Sequence, residues 1–291
     1  MFDVIIPIYN VEKTLLLRCF DSVVNQSFTN YTVWVCDGKP TPENKKMVES
    51  YNFNYIEQDT DNFKRVGGAR NQISFLGDNP YIAFLDGDDW WYMHHLKEMK
   101  NAIQLSSNNT AVWSAVCDCV YELQSLKTGE MYKMEGLYGY YEKDHFLKTY
   151  PQYSYYWFFG HPPAPTTTVV ERNAFELVGG FDSRYSILED TECWMRIVGD
   201  PRKKENHKLF ESVPVISGYH HIGIENTTSR GSQSPAFEKN IKEIFSDNSD
   251  LFLSEHPRPL KKDKPEDVKD SDWDDILKTV EGVNRNQIFN I

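Results

Sequence analysis

The stretch Y-I-A-F-L-D-G-D-D-W-W, residues 81–91, sets the terms for the rest of the chain. An apolar run of strand length ends abruptly in Asp86, Asp88 and Asp89, with Gly87 between the first two. β-Branched and aromatic residues in such a run read as a buried strand. Carboxylates this close repel one another; a cation relieves them, and hard oxygen ligands suit Mg2+ or Mn2+. Gly87 lets the backbone turn tightly around a ligand. In open α/β sheets ligands sit at the carboxyl ends of strands. The competing reading is a solvated acidic turn, for which Asp and Gly are ordinary residues.

The residues before this stretch alternate between two periodicities. Residues 2–8, F-D-V-I-I-P-I, read as a strand with the tip Pro7-Ile8-Tyr9-Asn10. Residues 11–28 carry apolar positions at helical spacing, and Asn10 is placed to cap that helix. A second strand, residues 31–36, ends at Asp37-Gly38. A short polar helix over residues 42–51 and a third strand over 53–56 follow. Residues 62–76 hold Arg65, Gly67, Gly68, Ala69, Arg70 and Asn71, with helical spacing at Ala69, Ile73 and Leu76. This order predicts a mostly parallel sheet with right-handed crossovers and flanking helices. The strand ends at Tyr9 and Asn10, at Asp37 and at Asp86–Asp89 then share one edge, and one crevice collects them. Neither G-x-G-x-x-G nor G-x-x-x-x-G-K-[ST] is present, which argues against a dinucleotide enzyme or a P-loop NTPase.

Beyond the acidic stretch, residues 91–105 read as an amphipathic helix. His94 and His95 are adjacent on it, not at the i, i+4 spacing of a metal pair, and read as surface residues. Residues 111–123 form a strand with Cys117 and Cys119 on one side, in the core. The Pro-rich residues 161–165 force an irregular loop before a strand over 166–170. Residues 186–198 read as a helix with Asp190 and Trp194 on one face. An acid there also suits the helix macrodipole with no further role. Residues 213–224 are a strand that points His220 and His221 to opposite faces. Pro- and charge-rich residues 254–272 read as a linker and 273–283 as a terminal helix, giving a main domain over 1–250 and an extension over 251–291.

Composition narrows the partners. A net charge of −12 over 291 residues lacks the basic excess of a nucleic-acid binder. No apolar run reaches membrane-spanning length and the N-terminus has no signal-peptide pattern. Five cysteines without a C-x-x-C pair read as reduced core residues of a cytoplasmic protein.

The motifs V-I-I-P-I-Y-N, V-W-V-C-D-G, R-V-G-G-A-R-N, A-F-L-D-G-D-D-W-W, G-G-F-D (179–182) and L-E-D-T-E-C-W-M-R (188–196) occur in the order found in one family. Over residues 1 to about 200 the chain resembles an inverting glycosyltransferase of family 2 with the Rossmann-like GT-A fold. It departs at Cys36-Asp37-Gly38-Lys39, where the family usually carries two acids and a Ser in V-D-D-G-S. The resemblance implies that Asp37 hydrogen-bonds a nucleotide base in a pocket lined by Pro7, Tyr9 and Asn10, and that Arg65 contacts the nucleotide. Arg70 and Asn71 instead brace their loop. It makes Asp88 the direct ligand of Mn2+ or Mg2+. Asp86, Gly87 and Asp89 then meet the donor sugar, ribose or metal-bound water. It makes Asp190 the general base with Glu189 in support, and His221 a metal or diphosphate ligand. Thr227 to Arg230 would close over the diphosphate.

The implied substrates are a nucleoside-diphosphate sugar, UDP first, and a hydroxyl of a glycan or other acceptor. The aromatic-rich residues 138–159 offer either a surface for sugar stacking or ordinary core. Two other readings stand beside this one. A sugar-nucleotide pyrophosphorylase or other nucleotidyltransferase should show a Gly-rich basic loop after the first strand, which residues 7–13 lack. A non-catalytic carbohydrate-binding relative has no need of both the Asp cluster and Asp190.

Overall fold

The computed structural model describes residues 1–124, 131–138, 163–198 and 208–222, with residues 239, 240, 243, 244, 246 and 247; 120–124, 131–138 and 222 are described by backbone alone. Residues 139–159, the Thr227–Arg230 motif and residues 251–291, on which expectations fell, lie outside that set.

The N-terminal half alternates β1 (Phe2–Ile8), α1 (Lys13–Val24), β2 (Tyr31–Asp37), α2 (Pro42–Ser50), β3 (Asn54–Glu57), α3 (Arg65–Ser74) and β4 (Tyr81–Phe84). The strands pair in the order β3-β2-β1-β4, all parallel. After β4 come β5 (Trp90–Trp91), α4 (His95–Leu105), β6 (Thr110–Gln124) and β7 (Met131–Tyr138). A 3-10 turn at Pro165–Thr167 leads into β8 (Thr168–Glu171), α5 (Arg172–Leu177), α6 (Glu189–Val198) and β9 (Leu209–Ile222). These extend the sheet as β4-β8-β6-β9-β5 with β7 on β6. β8 is antiparallel to β4 and β6, whereas β6 and β9 are parallel, so this half of the sheet is mixed.

The residue pattern explains the layers. On β1, Phe2, Val4, Ile6 and Ile8 face a core with α1 and α4, while Ile5 faces the other core with α3 and α6. Both faces of the strand are buried, as a parallel strand between two helical layers requires. On the second face Phe84, Phe175, Phe181 and Trp194 pack with ring centroids 5.3–5.8 Å apart. Trp194 is fully buried and anchors α6 against β4.

Several local expectations are corrected. Asn10 does not cap α1: its φ is +53°, outside the extended region a cap needs, and the helix starts at Lys13 after Glu12. Trp90 and Trp91 do not open α4; they pair with Tyr219 and Gly218 of β9 as a short strand. His95 is not a surface residue. It is fully buried, stacks on Trp91 at 4.3 Å and meets Ser217 Oγ through Nδ1 at 2.8 Å. Burial pushes its pKa down to about 3, so the ring is neutral. Leu76 lies beyond the end of α3 and is half exposed.

At the amino edge of the sheet, Arg172 and Asp3 form a buried ion pair at 2.5 Å. Asp3 also accepts from Trp34 Nε1 and from the Asn79 backbone and side-chain amides. Arg172 also donates to the carbonyls of Ser74 and Asn79. Removing one partner of a buried pair leaves an uncompensated charge, at a cost of about 3–5 kcal/mol. Arg172→Met should lower the unfolding free energy from urea titration by that order, and Asp3→Asn on top should recover part of it. Equal stability of the wild type and Arg172→Met would remove this pair from the account of the fold.

Candidate active site

Three parallel strands deliver their carboxyl ends to one corner. Ile8 of β1 lies in register with Asp37 of β2, and the Gly38 amide donates to the Ile8 carbonyl at 2.8 Å. Gly87 packs against the same tip; a Cβ there would lie 2.7 Å from Ile8 Cγ2 and 3.2 Å from the Pro7 carbonyl. The turn bearing the three Asp residues therefore sits beside β1 where the strand order reverses, the usual ligand position in an open α/β sheet.

Around that corner, Pro7 is buried within β1 while the Tyr9 side chain is 71% exposed. Asn10, in its left-handed turn, accepts from Lys39 Nζ at 2.8 Å. Asp37 is fully buried. Its Oδ1 accepts from the Lys39 amide at 2.9 Å, and its Oδ2 from Asn44 Nδ2 at 2.9 Å and the Tyr55 hydroxyl at 3.2 Å. Arg65 opens α3 with φ +62° and donates to the carbonyls of Ser183 and Arg184, tying α3 to the loop before α6.

The three acids after β4 have separate environments. Asp89 is fully buried and committed to the protein. It accepts from the Thr166 hydroxyl, from the His220 ring at 2.9 Å and from the His221 amide at 2.7 Å. At Asp89, His220 brings its ring and His221 its backbone amide. Against Asp89, Asp86 and Asp88 the His220 pKa rises to about 9 despite burial, so the ring is protonated at neutral pH. Asp88 is pushed up to about 7, first by burial and then by Asp89 and Asp86. Asp86 gives Oδ1 to Arg70 and keeps Oδ2 without a hydrogen bond among the described residues.

Arg70 connects this cluster to α6. Its Nη2 reaches Asp86 at 2.6 Å and its Nη1 reaches Glu189 at 2.8 Å, with the guanidinium buried. Gly67 and Gly68 make the close approach possible. A Cβ on Gly67 would lie 3.2–3.3 Å from Phe181 and Glu189, and one on Gly68 only 2.5 Å from the Phe63 backbone. Asn71 exchanges hydrogen bonds of 2.7 and 2.8 Å with the Phe181 backbone, bracing the G-G-F-D loop rather than its own. Asp190 follows Glu189 and is only partly exposed. Burial, then the Glu189 charge, push its pKa up to about 7, while Arg70 opposes them. That suits a base working near neutral pH.

Among the described residues no three His, Cys, Asp or Glu side chains converge as a ready-made metal site. Mg2+ and Mn2+ need no such cage when substrate phosphates complete the shell. The open Oδ2 of Asp86 and the charge-crowded Asp88 fit a divalent cation; Asp89, engaged by three protein donors, fits a supporting role.

A family model for glycosyl transferase family 2 matches residues 3–158, more than half of the chain. The chain belongs to glycosyl transferase family 2. The UDP-Glc:alpha-D-GlcNAc-diphosphoundecaprenol beta-1,3-glucosyltransferase WfgD of Escherichia coli is 31% identical over 109 residues, 37% of this chain and 42% of that protein. The amylovoran biosynthesis glycosyltransferase AmsB of Erwinia amylovora is 28% identical over 108 residues, 35% and 36% of the two chains. These matches span less than half of either relative. S. aureus TarS 1-349 in complex with UDP-GlcNAc superposes with a TM-score of 0.59 at 18% identity, covering 99% of this chain and 73% of that one. The mannosyltransferase PcManGT from Pyrobaculum calidifontis, in complex with GDP-Man and Mn2+, gives 0.54 at 14% identity, covering 97% and 73%. At such identity the likeness is one of fold, and it agrees with the expected GT-A architecture. No helix among the described residues is long and apolar enough to cross a membrane.

The sequence pointed to Asp37, Asp86–Asp89 and Asp190 but missed the groups that hold them. Asn44 and Tyr55 share the Asp37 carboxylate, and Thr166 and His220 share Asp89. The T-T-T run gave no signal for Thr166, because its partner is 77 residues away.

The raised pKa of Asp190 has a consequence for stability. Its folded value is about 7 against 3.8 for a free side chain, so between these the folded state binds a proton that the unfolded state releases. The stability it contributes is complete below about pH 4 and lost as pH rises through about 7. Asp190→Asn should therefore be more stable than the wild type at pH 8, with the gap closing toward pH 4. Urea unfolding across that range measures it; an Asn variant less stable at pH 8 would mean that the Asp190 charge is compensated.

Proposed function

We propose that this family 2 protein is a metal-dependent, inverting glycosyltransferase that moves a sugar from a UDP-sugar to a hydroxyl of a glycan or lipid-linked acceptor. The observation that carries the reading is the Arg70 bridge. It sets Asp86, on the donor side, against Glu189, whose neighbour Asp190 is a carboxylate pushed up to about 7. The family match ends at residue 158, so the role of Asp190 rests on this geometry and not on the match.

In this reading the nucleotide lies over the tips of β1 and β2. A carboxylate offers about four acceptor positions. Asp37 uses three on Lys39, Asn44 and Tyr55, leaving one on Oδ1 for the N3–H of uracil. Tyr9 and Asn10 border that pocket, next to Gly38 and Lys39, and Arg65 would contact the nucleotide. Asp88 and the second oxygen of Asp86 would hold a divalent cation, whose charge would offset that developing on the diphosphate leaving group. Asp89, clamped by Thr166 and His220, fixes the turn that carries both. Asp190 Oδ2 takes the proton from the acceptor hydroxyl, whose oxygen attacks the anomeric carbon opposite the diphosphate. Arg70 keeps the neighbouring acids from raising the Asp190 pKa further. The activity named for WfgD, with a UDP-glucose donor and a lipid-diphosphate acceptor, supports the choice of UDP and of a glycan or lipid-linked acceptor.

One paired experiment tests both halves of the site. UDP binding by calorimetry, with and without Mn2+, should require the metal in the wild type and be lost in Asp88→Asn. Asp190→Asn should bind UDP with Mn2+ normally yet lose on the order of 10²–10⁴-fold in kcat, the usual contribution of positioned proton transfer. Metal-independent binding in every variant, or near wild-type turnover in Asp190→Asn, overturns the assignment.

A further inference from the structure

The residue before the proposed base segment is strained. Leu188 has φ +67°, a left-handed conformation unusual for a branched side chain. Such a residue persists only where its surroundings over-determine it, and these residues cluster at functional sites. On its carboxyl side, Glu189 is fixed by Arg70 at 2.8 Å. On its amino side, the restraint comes from beyond β9. Asn240, itself buried, donates from Nδ2 to the Ile187 carbonyl at 3.0 Å. Asp247 accepts from the Tyr185 hydroxyl at 2.8 Å and pairs with Arg184 at 2.9 Å. Tyr185 is 1% exposed, and Ile244, between the two anchors, is fully buried. The stretch that the sequence left without a role thus grips residues 184–187, the approach to Leu188.

We propose that Asn240 and Asp247 form a positioning clamp. They hold residues 184–187 so that Leu188 stays in its strained conformation and Asp190 stays at the cleft. The inference rests on the reading of Asp190 as the base and extends it: the site is incomplete without the chain past β9.

Hydrogen exchange on the full chain tests the clamp separately from the chemistry. Asn240→Ala removes the hydrogen bonds to the Ile187 carbonyl and the Ser186 hydroxyl, and Tyr185→Phe removes the one to Asp247; exchange of the amides of residues 185–192 should rise about fivefold or more in each, as the loss of even one bond implies. Amides of β1 and β4 should not change, which also shows that the variants fold. With Mn2+ and a panel of UDP-sugars, kcat for slow donor hydrolysis should fall in both variants while donor KM holds. Asp247→Asn should add to Tyr185→Phe only what its pair with Arg184 contributes, because the Tyr185–Asp247 bond is common to both. Unchanged exchange over residues 185–192 overturns the clamp whatever the activity. Faster exchange with unchanged kcat overturns its positioning role. A wild type that turns over no UDP-sugar counts against the glycosyltransferase reading, and the exchange comparison still decides the clamp.

Discussion

The site depends on one buried guanidinium. Asp86, Asp88, Asp89, Glu189 and Asp190 crowd together: Asp89 and Asp86 raise the pKa of Asp88, and Glu189 and Asp86 raise that of Asp190. Left alone, such a group would resist burial, because an isolated buried charge is costly and like charges compound the cost. Arg70 answers two of the five directly and lowers the pKa of a third. His220 answers Asp89. What remains unbalanced lies on Asp88 and Asp190, the two carboxylates pushed up to about 7. The fold thus pairs its framework carboxylates with Arg70 and His220, and carries its raised pKa values on these two. In the proposed function one of these faces the cation and the other the acceptor.

The rest of the architecture serves that arrangement. The parallel strands β1, β2 and β4 bring their ends to one corner, while Gly67 and Gly68 let α3 approach α6 closely enough for Arg70 to span them. Trp194, one turn after Asp190, is locked among Phe84 and Phe181, which fixes α6 to the sheet. Arg196 ties α6 back to the G-G-F-D loop through the carbonyls of Val178 and Gly180 at 2.5 and 2.7 Å. Asp89 links the acidic turn to β9, so the two halves of the mixed sheet meet at the site.

The parts legible in the sequence were those set by local pattern. β1, β2 and β4 follow from runs of apolar residues ended by polar ones, and Asp37 and Asp86 are simply where those runs stop. The parallel order follows from the helices between them. The parts that were not legible depend on distant partners. Trp90 and Trp91 have the apolar character of a helix entry, and only pairing with β9 makes them a strand. His95 looked like one of two exposed histidines until Ser217, 122 residues away, gave it a buried hydrogen bond. Which of His220 and His221 turns its ring to the cluster depends on strand parity. The β6–β9 pairing shifts register at Ala115/Val116 and Val116/Cys117, and each such irregularity resets which residues face the site. Asn240 and Asp247 carry no motif at all; their role exists only in contact with residues more than fifty positions earlier.

The claim that Asp190 activates a hydroxyl opposite the departing diphosphate is tested most directly by stereochemistry. UDP-α-glucose, incubated with Mn2+ and the protein in the absence of acceptor, can be followed by proton NMR during slow hydrolysis. A single displacement by water held at Asp190 releases β-glucose first, before mutarotation mixes the anomers. Release of α-glucose first would contradict the placement of the base and require a mechanism in which the configuration is retained.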